Sequence, residues 1–205
     1  MQKRLLTLAS LFGLGLVAAS GLRLQGIASA QTPNPTPAPL TSTAAPVATK
    51  TLLEEAQAKT KKLHKPTLVM FHASWCGWCK RLEAVMDRPE FKKMFEDNYV
   101  ILSLDVQESG EKKEKLENPG GVEYMKELGG AKSGLPFYAF VDADGKKLAD
   151  SNVMKGQNIG YPGSPEEIDA FMGLIQKTAP HWSQEDQEKL KAYLVANAPK
   201  TNGAH

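Results

Sequence analysis

The stretch that decides the fold is FHASWCGWCK, residues 71–80, which holds both cysteines of the 205-residue chain, Cys76 and Cys79. The apolar run TLVMFH at 67–72 leads into it and predicts a buried strand. A helical pattern over 76–87 follows, so Cys76 is expected at a helix N-terminus, where free amide groups and the helix dipole favour an anion. A thiolate there is a nucleophile, and Cys79, one turn further in and more buried, is placed to resolve a mixed disulfide.

On both sides of this stretch, the sequence predicts short apolar strands that alternate with amphipathic helices. Ser-Pro-Glu-Glu at 164–167 is typical of a helix start. The predicted elements are helix 51–63, strand 67–72, helix 76–87 with a continuation over 90–97, strand 99–106, helix 122–128, strand 136–141, an antiparallel return strand 146–151, a helix from Ser164 through Ile175, and helix 183–196. This order predicts an α/β fold, a small mixed β-sheet flanked by helices, with an extra C-terminal helix.

The motif WCGWCK at 75–80, following a strand, resembles the active site of the thioredoxin superfamily. A second match is GLPF at 134–137, whose Pro136 lies 57 residues after Cys79, at the position of the family's cis-proline. The resemblance covers about residues 50–178 and leaves 179–205 as a C-terminal helical extension. It implies a thioredoxin-like fold.

The resemblance also implies roles for the residues of these motifs. Cys76 would attack the substrate sulfur and Cys79 would close the intramolecular disulfide. A cis Pro136 would keep its strand close to the sulfurs without offering an N–H, and the main chain of Leu135 would pair with an extended substrate. Further contact area would come from the residues around Cys76, namely Trp75, Gly77 and Trp78, although simple packing is the alternative for each tryptophan.

Three departures from the family leave the redox potential and the direction of the reaction open. Met70 stands where thioredoxin has an acidic residue, six positions before Cys76. Ile101 and Leu102 occupy the region of the family's buried lysine, and the motif interior is Gly-Trp, not Gly-Pro or Gly-His.

Several other features are interpreted as structural. We expect His72 to pack beneath the site, with a role as a base as the alternative, and Lys80 to be a solvated helix residue. The charged run within 107–134 is interpreted as a solvated face. Tyr161-Pro162-Gly163 is interpreted as a plain turn, with a place beside the site as the alternative.

Composition excludes several classes of protein. With 25 basic and 23 acidic residues the net charge is +2, which argues against a strongly basic nucleic-acid binder. Two cysteines exclude a disulfide-dense scaffold and a zinc ribbon built on four cysteines.

The N-terminal 49 residues carry only three charges, Lys3, Arg4 and Arg23. Residues 1–30 combine a basic start, an apolar run and a small-residue cleavage site, and we predict a signal peptide there, with an uncleaved membrane anchor as the alternative. Residues 31–49, with five prolines and no charge, are predicted to be a Pro/Thr-rich linker. Cleavage would remove three positive charges from a total of +2 and leave −1.

These features predict an exported thiol–disulfide oxidoreductase of a bacterial periplasm or the extracellular space. We expect protein thiols and disulfides as partners, a membrane or soluble redox partner, no nucleic acid, a monomer, and no cofactor beyond the Cys76–Cys79 disulfide. One alternative is a non-catalytic binding or assembly module in which this disulfide is structural. A minor alternative is a metal site formed by Cys76, Cys79 and His72.

Overall fold

The structure, a computed structural model, describes residues 45–179 and 181–199. The predicted signal peptide, 1–30, and most of the predicted linker lie outside the described residues. The elements that the structure describes follow the chain as α1 Thr49–Leu63, β1 Thr67–His72, α2 Gly77–Met86, α3 Pro89–Asn98, β2 Val100–Asp105, α4 Glu111–Leu116, α5 Gly121–Glu127, β3 Phe137–Val141, β4 Lys147–Asp150, α6 Pro165–Thr178 and α7 Gln184–Ala196.

The four strands form one mixed sheet in the order β2-β1-β3-β4. Strand β1 runs parallel to β2 and antiparallel to β3, with Phe71 opposite Phe137, and β4 runs antiparallel to β3. The predicted mixed sheet flanked by helices is therefore confirmed. Because β1 has a strand on each side, its C-terminal end, and the cysteine motif that follows, lie at the middle of the sheet edge.

Strand β1 is buried on both of its faces, and its alternate residues enter two separate cores. Leu68 and Met70 pack with the helices α2, α3, α6 and α7, whereas Val69 and Phe71 pack with α1 and α5. A strand buried on both faces requires the continuous apolar run that TLVMF supplies. The rigidity of this central strand fixes the point at which the motif begins.

Helix α6 begins at the predicted residue, because Ser164 and Glu167 form a capping box. The Ser164 hydroxyl accepts a hydrogen bond from the Glu167 amide at 3.2 Å, and the Glu167 carboxylate accepts one from the Ser164 amide at 2.9 Å. These bonds satisfy two amide groups that would otherwise lack partners.

Two features depart from the sequence analysis. Glu111–Leu116 forms a short helix, α4, that was not predicted; its residues are not buried, and Lys115 pairs with Glu111 one turn away at 2.8 Å. Leu63, the apolar residue at the end of the amphipathic helix predicted over 51–63, is half exposed. A helix held mainly by ion pairs on its surface lacks the apolar spacing that reveals a helix in a sequence.

The predicted C-terminal helix is present as α7, capped by the Ser183 hydroxyl. Its Leu190 and Leu194 are buried in the same core as α6 and β1. Within the described residues, none of the helices has the length and apolar character that crossing a membrane requires.

Candidate active site

Cys76 and Cys79 are joined by a disulfide, with their Cα atoms 5.3 Å apart. Cys76 is the N-cap of α2, and its sulfur accepts a hydrogen bond from the Cys79 amide at 3.1 Å. Cys79 is fully buried and Cys76 is only 4% exposed. The helix start places the first sulfur where amide groups stabilise negative charge, as the sequence indicated.

The loop between β1 and α2 is short and tightly bonded. The Cys76 amide donates to the Ala73 carbonyl at 3.0 Å, which turns the chain out of the strand and into the helix. Nothing lies within 4 Å of the point where a Cβ of Gly77 would be, so this residue faces open space beside Cys76. A substrate chain can therefore approach from the side of Gly77.

The segment before β3 lies against the disulfide. The Leu135–Pro136 peptide bond is cis, and the Leu135 side chain packs on Ala73, Cys76 and Cys79. Asn158 donates to the carbonyls on both sides of Leu135, those of Gly134 at 2.7 Å and Pro136 at 3.0 Å. Within the described part of the chain no hydrogen bond engages the main chain of Leu135, which leaves it free to pair with an added strand.

Two exposed tryptophans flank the disulfide. Trp75 is 56% exposed and its indole N–H donates to the Gln107 carbonyl at 3.0 Å, and Trp78 is 51% exposed. Trp78 stacks on Tyr161, with ring centroids 5.7 Å apart. The interpretation of Tyr161-Pro162-Gly163 as a plain turn is therefore wrong, and the alternative, a segment bordering the site, holds.

The C-terminal end of α7 also reaches this site. The guanidinium carbon of Arg81 lies 4.9 Å from the Tyr161 ring centroid and 5.8 Å from that of Trp78. A nitrogen of the same guanidinium donates to the Asn197 carbonyl at 2.8 Å. Arg81 therefore links Asn197, the residue after α7, to the rings of Trp78 and Tyr161. The sequence analysis did not reveal this contact.

A histidine and two carboxylates lie below the loop. His72 Nδ1 is 2.7 Å from a Glu83 carboxylate oxygen, and His72 Nε2 is 3.7 Å from one of Asp105. Burial raises the pKa of Asp105 above its ordinary value; His72 lowers it in part and Glu108 adds to the rise. Met70, at the family's acidic position, is buried in the apolar core. His72 is thus paired, rather than packed among apolar groups alone.

Glu108 is the site residue that the sequence analysis missed most clearly. It lies in the segment 107–134, close to the charged run from Glu111 to Glu117 that was interpreted as a solvated face, yet it is only 6% exposed. One carboxylate oxygen accepts a short hydrogen bond from the Ser74 amide, and the other accepts from the Ser74 hydroxyl at 3.0 Å. A signal was available, because the ends of two adjacent parallel strands meet at one sheet edge, and Glu108 follows β2 as Ser74 follows β1.

The geometry does not favour the metal alternative. The two sulfurs are bonded to each other, and His72 pairs with Glu83. Within residues 45–179 and 181–199, no group of three or more His, Cys, Asp or Glu side chains lies together in a way that could hold a metal ion.

Comparison with known proteins is consistent with this geometry. Residues 48–143 match a family described as thioredoxin-like. A probable protein disulfide-isomerase A6 of Medicago sativa is 30% identical over 117 residues, which are 53% of this chain and 31% of that protein. The disulfide bond reductase DsbH of Chlamydia pneumoniae is 27% identical over 110 residues, 52% of this chain and 64% of that one. The chain thus spans less than two thirds of each relative.

Among solved structures, the chain matches one described as a disulphide isomerase from Xylella fastidiosa Temecula1. The TM-score is 0.43 at 20% sequence identity, and the match covers 72% of this chain and 88% of that chain.

Proposed function

We propose that this protein, whose residues 48–143 match a family described as thioredoxin-like, is a thiol–disulfide oxidoreductase that exchanges disulfides with proteins. The observation that carries the proposal is the Cys76–Cys79 disulfide at the start of α2 with Leu135 packed on it. The catalytic residues are Cys76 and Cys79, and the reaction needs no cofactor beyond them.

In the reducing direction, the Cys76 thiolate attacks one sulfur of a substrate disulfide. The substrate S–S bond breaks, a mixed disulfide forms, and the other substrate sulfur leaves as a thiolate. Cys79 then loses its proton and attacks the Cys76 sulfur, which releases the second substrate thiol and re-forms the Cys76–Cys79 bond. Two electrons pass to the substrate, and a dithiol partner restores the reduced protein; the oxidising direction is the same sequence reversed.

The substrate surface that we propose consists of Trp75, Gly77, Trp78, Leu135 and Pro136. The free main chain of Leu135 would pair with an extended segment around the substrate cysteine, which is a form of strand addition. The two half-exposed tryptophans would add apolar contact area on either side of Cys76. Such a surface suits an unfolded or extended protein segment more than a small thiol.

Reduction of insulin by dithiothreitol, followed by turbidity, tests this function. We expect the protein to accelerate precipitation of the insulin B chain and Cys76→Ser to abolish the acceleration. Refolding of a scrambled disulfide substrate tests disulfide rearrangement, and oxidative refolding of a reduced substrate tests the opposite direction, both with the same control. If the wild-type protein is inactive in all of these assays, the proposed function is wrong.

A second candidate function, a binding or assembly module with a structural disulfide, is favoured by one observation. Cys76 is only 4% exposed, whereas an attacking sulfur must be reached by its substrate. Alkylation of the reduced protein at neutral pH separates the two candidates. Rapid modification at Cys76 alone supports exchange, and slow modification of both cysteines supports the structural bridge.

Export is part of the proposal and is supported by the pattern of residues 1–30. We propose that the chain acts as a monomer in a bacterial periplasm or outside the cell, with a membrane or soluble redox partner and without nucleic acid. Intact-mass analysis of the protein from its native host tests export. A mature chain beginning at Gln31 supports it, and a chain that retains residues 1–30 in the cytosol contradicts it.

A further inference from the structure

Glu108 is a buried carboxylate within a network around the loop that carries Cys76. It is 6% exposed, both of its oxygens accept hydrogen bonds from Ser74, and its own amide donates to the Glu117 carboxylate at 2.9 Å. Ser74 lies two residues before Cys76. The Lys112 ammonium, exposed to solvent, donates to the Ser74 hydroxyl at 3.1 Å.

The two residues before Glu108 also bond to the segment that leads to Cys76. The Gln107 carbonyl accepts from the indole of Trp75 at 3.0 Å, and the Val106 amide donates to the His72 carbonyl at 2.8 Å. The segment after β2 is therefore bonded to His72, the last residue of β1, and to Ser74 and Trp75, which lie between β1 and Cys76. Loops fixed in this way hold a reactive group in one geometry.

We propose that Glu108 is a positioning residue of the dithiol: its carboxylate fixes the loop through Ser74, and its negative charge disfavours the Cys76 thiolate. The inference rests on the proposed function, since a thiolate matters only if Cys76 exchanges disulfides. Met70 leaves the family's acidic position without a charge, whereas the Glu108 carboxylate is bonded to Ser74, two residues before Cys76.

The sign of the effect follows from electrostatics. A like charge near an ionisable group disfavours its charged form, and a site shielded from water screens the interaction less. A less stable thiolate makes the dithiol form less stable, so the charge of Glu108 makes the pair more reducing. The other charged groups around the loop are Lys112, Glu117 and the cluster of His72, Asp105 and Glu83. The substitutions used to test the proposal leave the three residues of this cluster unchanged.

The test compares Glu108→Gln with Glu111→Gln in the reduced full chain. Both remove one negative charge from the same segment, but Glu111 is exposed and pairs with Lys115, without contact to Ser74. The pH dependence of alkylation at Cys76 and the equilibrium of the pair with glutathione are measured for each variant, with circular dichroism to verify folding. Neither readout depends on a protein substrate, so failure here is distinguishable from failure in the insulin assay.

We expect Glu108→Gln to lower the pH midpoint of alkylation by about half a unit. Well below the midpoint, this shift raises the fraction of Cys76 present as thiolate about threefold. The glutathione equilibrium should shift toward the dithiol by up to about threefold, about 15 mV at about 30 mV per factor of ten. Glu111→Gln should match the wild-type protein in both measurements. An unshifted midpoint and equilibrium in a folded Glu108→Gln would overturn the proposal, as would equal shifts in both variants.

A second variant decides the question if Glu108→Gln does not fold. Lys112→Met removes the exposed ammonium that donates to the Ser74 hydroxyl and keeps the Glu108 carboxylate, which accepts a hydrogen bond from the same hydroxyl. At low salt we expect Lys112→Met to raise the pH midpoint of alkylation, by less than Glu108→Gln lowers it. A midpoint that stays at the wild-type value or falls would overturn the proposal.

Discussion

At the scale of single residues, the two cysteines have different surroundings although they share one bond. Cys76 caps α2 and accepts a hydrogen bond from the Cys79 amide, whereas Cys79 is fully inside the protein. A sulfur at a helix start is stabilised as an anion, and a buried one is not. From this asymmetry we infer that, under the proposed function, Cys76 attacks and Cys79 resolves the mixed disulfide.

The asymmetry predicts opposite outcomes for the two cysteine variants. Cys79→Ser should accumulate a mixed disulfide with a protein substrate, because nothing remains to attack the Cys76 sulfur. Cys76→Ser should form none. Non-reducing gels followed by mass spectrometry measure the adduct, and its accumulation on Cys79 of the Cys76→Ser variant would contradict the assignment.

Asp105 provides a prediction about pH and stability. Because burial raises its pKa in the folded protein, the folded state binds a proton more tightly than the unfolded state. Its contribution to stability is full below the unfolded pKa and is lost as the pH rises through the raised folded pKa. Asp105→Asn, which cannot ionise, should therefore gain stability relative to the wild-type protein between acid and neutral pH.

Urea unfolding at pH 3 and at pH 7 measures this difference. The matched control is Asp144→Asn, in the exposed turn between β3 and β4, which should show no such change. If the stability of Asp105→Asn relative to the wild-type protein falls toward neutral pH, the ion pair with His72 lowers the pKa of Asp105 by more than burial raises it. That result would contradict the prediction.

At the scale of elements, α7 is part of the core and of the site at once. Leu190 and Leu194 are buried against the helices α3 and α6, and the residue that follows the helix, Asn197, accepts a hydrogen bond from Arg81. The sequence predicted the helix from its apolar spacing, but the contact joins residues 116 positions apart. Such a contact depends on the path of the whole chain and leaves no local pattern.

Truncating a buried leucine tests whether α7 is integral to the domain. Leu190→Ala should lower the free energy of unfolding by about 2–5 kcal/mol, the usual cost of a large-to-small change in a core. Val195→Ala on the exposed side of the same helix should change it by less than about 0.5 kcal/mol. Equal, small effects in chemical denaturation would mean that α7 is a separable appendage.

The hydrogen bond from Arg81 of α2 to Asn197, which follows α7, should influence substrate binding. Arg81→Met removes the guanidinium that lies near Tyr161 and Trp78 and is bonded to Asn197. An exposed cation–aromatic contact contributes about 0.5–1 kcal/mol, so KM for a protein substrate should rise about two- to fivefold while kcat changes little.

Lys126→Met, an exposed substitution on α5, is the control for this prediction. Steady-state insulin reduction measures both constants. A fall in kcat with KM unchanged would show that Arg81 affects the exchange step and not the substrate surface.

At the scale of the whole molecule, the fold could be predicted because its signals are local. TLVMFH has the length and continuity of a strand buried on both faces, and Ser164 with Glu167 marks a helix start by itself. The cysteines and the Leu135–Pro136 segment were found because they form motifs. Glu83 and Glu108 were missed as site residues, and Tyr161 was given a place beside the site only as an alternative, because their surroundings come from strands and helices distant in sequence.

The central claim is that Cys76 and Cys79 form a redox-active pair that cycles between dithiol and disulfide. The most direct measurement is the equilibrium of the full chain with glutathione buffers and, below their range, dithiothreitol buffers, with the dithiol fraction determined by alkylation and mass spectrometry. We expect a single two-electron transition between about −270 and −120 mV, the range of redox-active thioredoxin-fold proteins. A pair that stays oxidised to below about −300 mV, as structural disulfides do, would contradict it.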